Sequence, residues 1–451
     1  MRRGGILLTV TTALLAGCTT RSALECALDG AGSNRPELES VLNHYRDTDN
    51  NPQKLRAAEF LIENMPAHYS YADDRIHEYY DYAGRILADK SLTPDQQRDR
   101  IQAMTMQKYS DLPSHTIPDA QVIKADYLID NIDRTYAQWT TCPWTGHLTF
   151  DEYLEWVLPY KLVELQELDN WRDTMYAYYG ATCLEHRSHL KNDVEYNNAV
   201  HVADTVRYLA NKRIKRNVYT TGTGLPLLSD HLMANLSFGT SSDYSLMAAL
   251  LVRSLGVPVM LDETPVGPRG NAATQWLVVL SDRGDQLMSE WDFTTRIGEG
   301  FFPYERGPKV FRSTYSINRD RERYLQKSKY KYPFKLNVQD VTHRYFLVSD
   351  LSIPVDNAAK RKLKDKYVYI ASAVRDESNP WQIVDFGKIK GGKACFDEMG
   401  REVLYTVMGF DGTGLVQITD PFILHKDGSV EYVSPDTISS ASLDKWKNYA
   451  L

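Results

Sequence analysis

Histidine, cysteine and uncompensated positive charge are all scarce in this sequence. Its 451 residues hold eleven histidines and five cysteines, and the formal net charge is −7. A net negative chain argues against nucleic acid as the main partner, because binding a phosphate backbone calls for a basic stripe. No Gly-rich phosphate loop and no His/Cys set at zinc spacing occurs, so neither a cofactor nor a metal is expected. No apolar run is long enough for a permanent membrane-spanning helix. Internal repeats and low-complexity segments are also absent. What remains is a globular composition, 43% hydrophobic and 25% charged, on a chain too long for one core. Two or three domains are therefore expected.

The N-terminus carries an address. Arg2 and Arg3 precede the short apolar run "GGILLTVTTALLAGC", which ends in Leu15-Ala16-Gly17-Cys18. That ending resembles the lipobox cut by lipoprotein signal peptidase, and the resemblance implies a signal peptide over 1–17 and a lipidated Cys18. A plain secretory signal is the alternative. The implied partner is a membrane, reached through the acyl chains on Cys18, each buried carbon contributing about 0.8 kcal/mol. Thr19 follows without an acidic retention signal, which favours an extracytoplasmic, outer-membrane location. In an oxidising compartment Cys142 and Cys183 either pair or stay as thiols. Cys395 reads as a core residue.

Residues 18–35 read as a tether and 36–190 as an all-α domain. In "NPQKLRAAEFLIENMP" Asn51 caps, Pro52 opens and Pro66 stops a helix. Thr149 and Glu152 stand in capping-box register. The spacing predicts a further helix through "LVELQELDNWRDTMYAYYG", closed by Gly180. Trp144, Trp156, Tyr160 and Trp171 fall at helical spacing and read as core rather than as a sugar-stacking platform. Cys183, Glu185, His186 and His189 match no structural zinc spacing and read as a surface helix end.

From 191 to 325 the pattern is α+β. "DYSLMAALLVRSLG" reads as an amphipathic helix ended by Gly256, "VPVML" as a strand, and "QWLVVL" with "QLMSEWDF" as a hairpin across "SDRGD". The basic run from Arg306 to Lys331 reads as a solvated connection. Residues 326–451 read as an all-β sandwich of immunoglobulin-like size, with strands in "VTHRYFLV", "YVYIASAV", "WQIVDFGKI", "EVLYTVMGF" and "SVEYVS" and a turn at "KDG".

The order of a Gly-led turn, a nucleophile position, a helix, a Gly-Val-Pro strand and a hairpin holding a Trp resembles the transglutaminase-like, papain-like core. More specifically, the chain resembles a family of transglutaminase-like lipoproteins from anaerobic Gram-negative bacteria. The resemblance rests on "RAAEFLIENMPAHYSY", "LTFDEYLEWVLPYKLVELQELDNWR", "LLVRSLGVPVMLDETP", "KVFRSTYS", "GGKACFDEMGREVLYTVMGFDGTG" and "PFILHKDGSVEYV". Leu-Pro-Tyr and Asn-Trp-Arg are its most specific parts.

The resemblance implies a Cys-His-Asp triad, with the thiol activated at a helix N-terminus. Carried over residue by residue, the cysteine position is Ser241, the histidine position Thr274 and the orienting acid Asp292, with Glu290 as its rival. Asp243, Trp276 and Trp291 complete the candidate cleft. The triad therefore reads as degenerate. No histidine lies between His231 and His343, so a base for Ser241 would have to come from His201 or His231. General-base help is worth roughly 10²–10⁴ in rate, and serine needs it more than cysteine does. Capping of the helix accounts for Ser241 and Ser242 without chemistry, and strand propensity accounts for Thr274.

The leading expectation is a catalytically inactive, membrane-anchored transglutaminase-like protein that binds a peptide, glycopeptide or glycan. A hydrolase using Ser241 with an imported base is the alternative, and a structural or assembly lipoprotein a further one.

Overall fold

The computed structural model describes residues 21–190, 194–213, 218–219, 225–234, 236–266, 273–289, 295–299, 305–374 and 380–433. The chain folds into two units, helices dominating its N-terminal half and an antiparallel sheet its C-terminal region. One unit comprises Met1–Leu261, Trp276–Gly300 and Ser313–Ile317; the other comprises Asp262–Gln275, Phe301–Arg312 and Asn318–Leu451.

Local signals place the helices of the first unit. Asn51 accepts from the amides of Gln53 and Lys54, Pro52 opens the helix Pro52–Asn64, and a 3₁₀ turn over Met65–Ala67 ends it. Thr149 and Glu152 form a complete capping box on Phe150–Trp156, and the chain leaves that helix before Pro159. Trp144, Trp156, Tyr160 and Trp171 are all buried, as core aromatics should be. The all-α reading misses one small feature, a two-stranded antiparallel pair between Tyr69–Tyr71 and Thr116–Pro118.

The helix expected through 162–180 is different. Residues 157–170 are irregular, and helix resumes only at Trp171–Met175. Gly180 does not stop it; it lies in a π-helical turn, Tyr176–Gly180, that runs on into Ala181–His186. The apolar spacing there is helical, yet buried polar side chains hold the segment in another path. Lys161 lies against Asp119 at 2.5 Å and donates to the Tyr69 carbonyl. Gln166 accepts from the Leu162 amide.

Helix Ser241–Ser254 is the centre of the first unit. Every residue from Tyr244 to Ser254 is buried, so it is enclosed on all sides rather than amphipathic. Gly256 follows with φ +78°, the left-handed residue past a helix end. Leu280 donates its amide to Pro258 O at 3.0 Å, and the hairpin pairs Val278–Leu280 with Gln286–Met288. Cys142 and Cys183 are both free thiols, so no disulfide joins them.

The second unit is built on one curled antiparallel sheet of eight strands rather than two stacked sheets. Its order is Val348–Pro354, Lys393–Gly400, Trp381–Lys390, Tyr367–Ala373, Val403–Phe410, Phe422–Leu424 and Val430–Tyr432, with Leu415–Gln417 also on Val403–Phe410. Tyr367–Ala373 is buried throughout, which period-2 geometry explains. Val368 and Ile370 face an aliphatic core with Phe396 and Tyr405. Tyr367 and Tyr369 face an aromatic cluster with Tyr324 and Phe334. "VTHRYFLV" is not a strand until its last residue; a 3₁₀ turn occupies Thr342–Arg344. The basic run is partly interior: Lys309, Arg312 and Arg321 are buried, and Arg319–Lys327 is a helix. Cys395 is half-buried, not core.

Candidate functional site

The head of the central helix is assembled locally. Gly239–Thr240 pairs in parallel with Val218–Tyr219 and delivers the chain to the helix. A Cβ on Gly239 would stand 3.0 Å from both Leu236 and Asp243 side chains, so glycine permits the approach. The capping residue is Thr240, one position earlier than expected. Its Oγ1 accepts the Asp243 amide at 3.3 Å, while Asp243 Oδ2 accepts the Thr240 amide and hydroxyl at 2.7 Å each. Asp243 is thereby committed to the capping box. Ser241 and Ser242 are half-buried and, among the described residues, neither hydroxyl has a hydrogen-bond partner.

Neither histidine that could supply a base is bonded to Ser241. The His201 ring nitrogen meets the Arg187 guanidinium, and His231 faces Tyr178 with ring centroids 6.1 Å apart. A hydroxyl at a helix N-terminus without a base remains a weak nucleophile at neutral pH. Beside it lies an apolar cavity of about 150 Å³ lined by Leu225, Leu227, Met233, Phe238, Gly239 and Asp243.

Thr274 is half-buried at the start of strand Thr274–Leu280 and belongs to the second unit, whereas Ser241 belongs to the first. Trp276 is only 2% exposed, inside the hairpin strand. Cys18, Glu290, Trp291 and Asp292 lie outside the described residues. Among the described residues no helix is long and apolar enough to cross a membrane, and no group of three or more His, Cys, Asp or Glu is poised to hold a metal. Cys183 points into the core, away from His186 and His189, which are exposed.

Sequence reasoning missed an acidic cluster in the irregular segment. Asp169 and Asp230 are neighbouring carboxyls, and the Oδ1 of each is buried with no hydrogen-bond partner among the described residues. Burial, followed by the charge of Asp169, pushes Asp230 well above the usual carboxylate range. Its Oδ2 accepts from Gln166 Nε2 at 3.0 Å. Burial, and then the Asp169 charge, pushes Glu167 up to about 7. Asp230 is fully buried and Asp169 half-buried, and their protonation acts on the stability of the fold. The only sequence signal was polar residues interrupting an apolar pattern.

The second polar centre is His68, also buried. Its Nδ1 meets Glu164 Oε1 and its Nε2 meets the Tyr315 carbonyl, each at 2.9 Å, and its ring stacks on Tyr315. Burial raises the Glu164 carboxyl, but the facing imidazole and the Tyr69 amide outweigh it and leave it below its ordinary value. Both neighbours fix His68 in place.

Comparison with protein-family profiles, with curated proteins and with solved structures finds no match to this chain.

Proposed function

We propose that this chain is a lipid-anchored protein of the transglutaminase-like, papain-like kind that has kept the helix-headed cleft and lost acyl-transfer chemistry, and that the cleft binds peptide or glycan-bearing peptide. One observation carries the reading: at Ser241, the position that the resemblance assigns to the nucleophile, the hydroxyl has no bonded base among the described residues. The Thr240–Asp243 box supports it, since the carboxylate nearest the helix head is spent on capping. The adjoining cavity has the size of one apolar side chain, as a subsite for an extended peptide would.

The reading is tested by three measurements on the purified protein. Biotin-amine incorporation and peptidase assays are expected to give no turnover above that of Ser241→Ala. A fluorophosphonate probe is expected to leave Ser241 unlabelled. Peptides with a bulky apolar residue are expected to shift amide resonances of Leu225, Leu227, Leu228 and Phe238. Turnover or labelling that vanishes in Ser241→Ala would establish the hydrolase instead. A protein that shifts with no peptide and sediments as a complex would point to an assembly role.

A further inference from the structure

A cavity of about 450 Å³ opens in the first unit away from the helix head, and its lining is dominated by cationic and imidazole side chains. Helix Ala199–Arg213 makes one wall. Its Val202, Ala203, Val206 and Ala210 are buried in the core. His201, Asp204, Thr205 and Tyr208, spaced i, i+3, i+4 and i+7, form a polar stripe along the cavity. The end of helix Ala181–His186 and the turn after it add His186, Arg187 and His189, and Arg296 comes from a third segment.

Among the described residues, three guanidinium groups and three imidazoles therefore line the space against a single carboxylate, Asp204. That carboxylate is occupied: its Oδ1 accepts Arg207 Nε and the Ile297 amide, each at 3.0 Å. Arg187 is fully buried, fixed by the His201 ring and by the Tyr196 carbonyl at 2.8 Å. Arg296 is exposed and, among the described residues, is held by a 3.6 Å pair with the equally exposed Glu299, a contact worth little in water. Tyr208 is 42% exposed at the rim, but its ring is taken by His186, with centroids 5.7 Å apart, and by Lys212 Nζ, 4.1 Å from its centroid, which adds a further cation beside the cavity.

We infer that this cavity is a binding site for a small organic oxyanion, a carboxylate or phosphate ester of roughly monosaccharide to disaccharide size. Guanidinium forks match the geometry of both groups, and the volume lies within the range of small-molecule sites. The site is independent of the peptide cleft proposed above.

Isothermal titration of the full chain with glucuronate, glucose 6-phosphate, inorganic phosphate and glucose tests it. At least one anionic sugar is expected to bind saturably with Kd in the millimolar range or below, and glucose is expected not to bind. The double variant Arg296→Gln/His189→Gln, altered at two exposed positions, is expected to weaken binding about tenfold or more with an unchanged Tm. Inorganic phosphate binding as tightly as the sugar phosphate would support the site and assign recognition to the oxyanion alone. Saturable binding by none of the anions, equal binding of glucose, or an unchanged affinity in the double variant would overturn the inference.

Discussion

The two units handle a buried arginine in opposite ways. In the sheet unit, Arg312 Nε and Nη2 bond the two oxygens of Asp262 at 2.7 Å each, while Tyr345 donates to the same carboxylate at 2.6 Å. Burial lowers the Arg312 pKa, but that carboxylate more than reverses it. In the helical unit, Arg172 donates to the carbonyls of Val157, Pro159 and Arg253 and to Asn131 Oδ1. Burial pulls its pKa down to about 9, and Arg253, likewise committed to a carbonyl, falls well below its ordinary range. The difference follows from backbone bookkeeping. A sheet satisfies its own peptide groups and leaves a buried cation to seek an anion, whereas the irregular stretch 157–170 leaves carbonyls that a five-donor fork can gather.

Arg172→Ala is the sharpest way to break that comparison. It strands three buried carbonyls, and a loss of several kcal/mol is expected, about 1–3 kcal/mol for each buried acceptor left unsatisfied. Urea denaturation followed by far-UV circular dichroism measures it, and Arg172→Lys should recover only part. Gly387→Ala attacks the other unit by sterics alone. Its Cβ would run into the Cys395 carbonyl and stand 2.7 Å from the Phe396 ring, so about 1–3 kcal/mol is expected from overpacking, read as a lower Tm.

A smaller effect separates the units by pH. The folded chain holds the Glu167 proton up to about pH 7, against an ordinary value of 4.5. Its contribution is full below about pH 4.5 and is lost as pH rises through about 7; the raised Asp169 and Asp230 act with the same sign. His77, 3.8 Å from Glu167, opposes this where it is charged. Among the described residues the sheet unit contains no carboxyl raised in this way. Denaturation midpoints measured from pH 4.5 to 7.5 should therefore fall, and Glu167→Gln should flatten the fall. The smallest effect expected is that of Ser241→Ala, within about 0.5 kcal/mol in the same assay, because no hydrogen bond is lost.

Local features were legible in the sequence and distant pairings were not. Asn51-Pro52, Thr149 with Glu152, and Gly256 announce their caps because the physics of a helix end involves only neighbours. The strand runs at Tyr367, Trp381 and Val403 were equally plain. Their closure into one sheet depends on Lys393–Gly400 bridging two other strands, which alternation within a strand does not encode. The helix over 162–170 failed because Lys161 and Gln166 find partners far along the chain or across a turn. At the helix head the motif located the turn, but Thr240 rather than Ser241 took the cap, since Asp243 stands three residues from Thr240 and completes the reciprocal pair.

The helix Pro52–Asn64 is finished by residues made long after it. Tyr315 donates its hydroxyl to the Leu61 carbonyl 254 positions earlier, and the Ile317 amide donates to Asn64 Oδ1. At translation speeds of about 5–20 residues per second, that interval is on the order of ten to fifty seconds. The helical unit therefore cannot close while its own stretch is emerging from the ribosome. It waits, with the Leu61 carbonyl and the Nε2 of His68 still unmatched, for five residues from beyond position 312. A nascent chain stalled before that point would present an open helical face to whatever chaperone attends it.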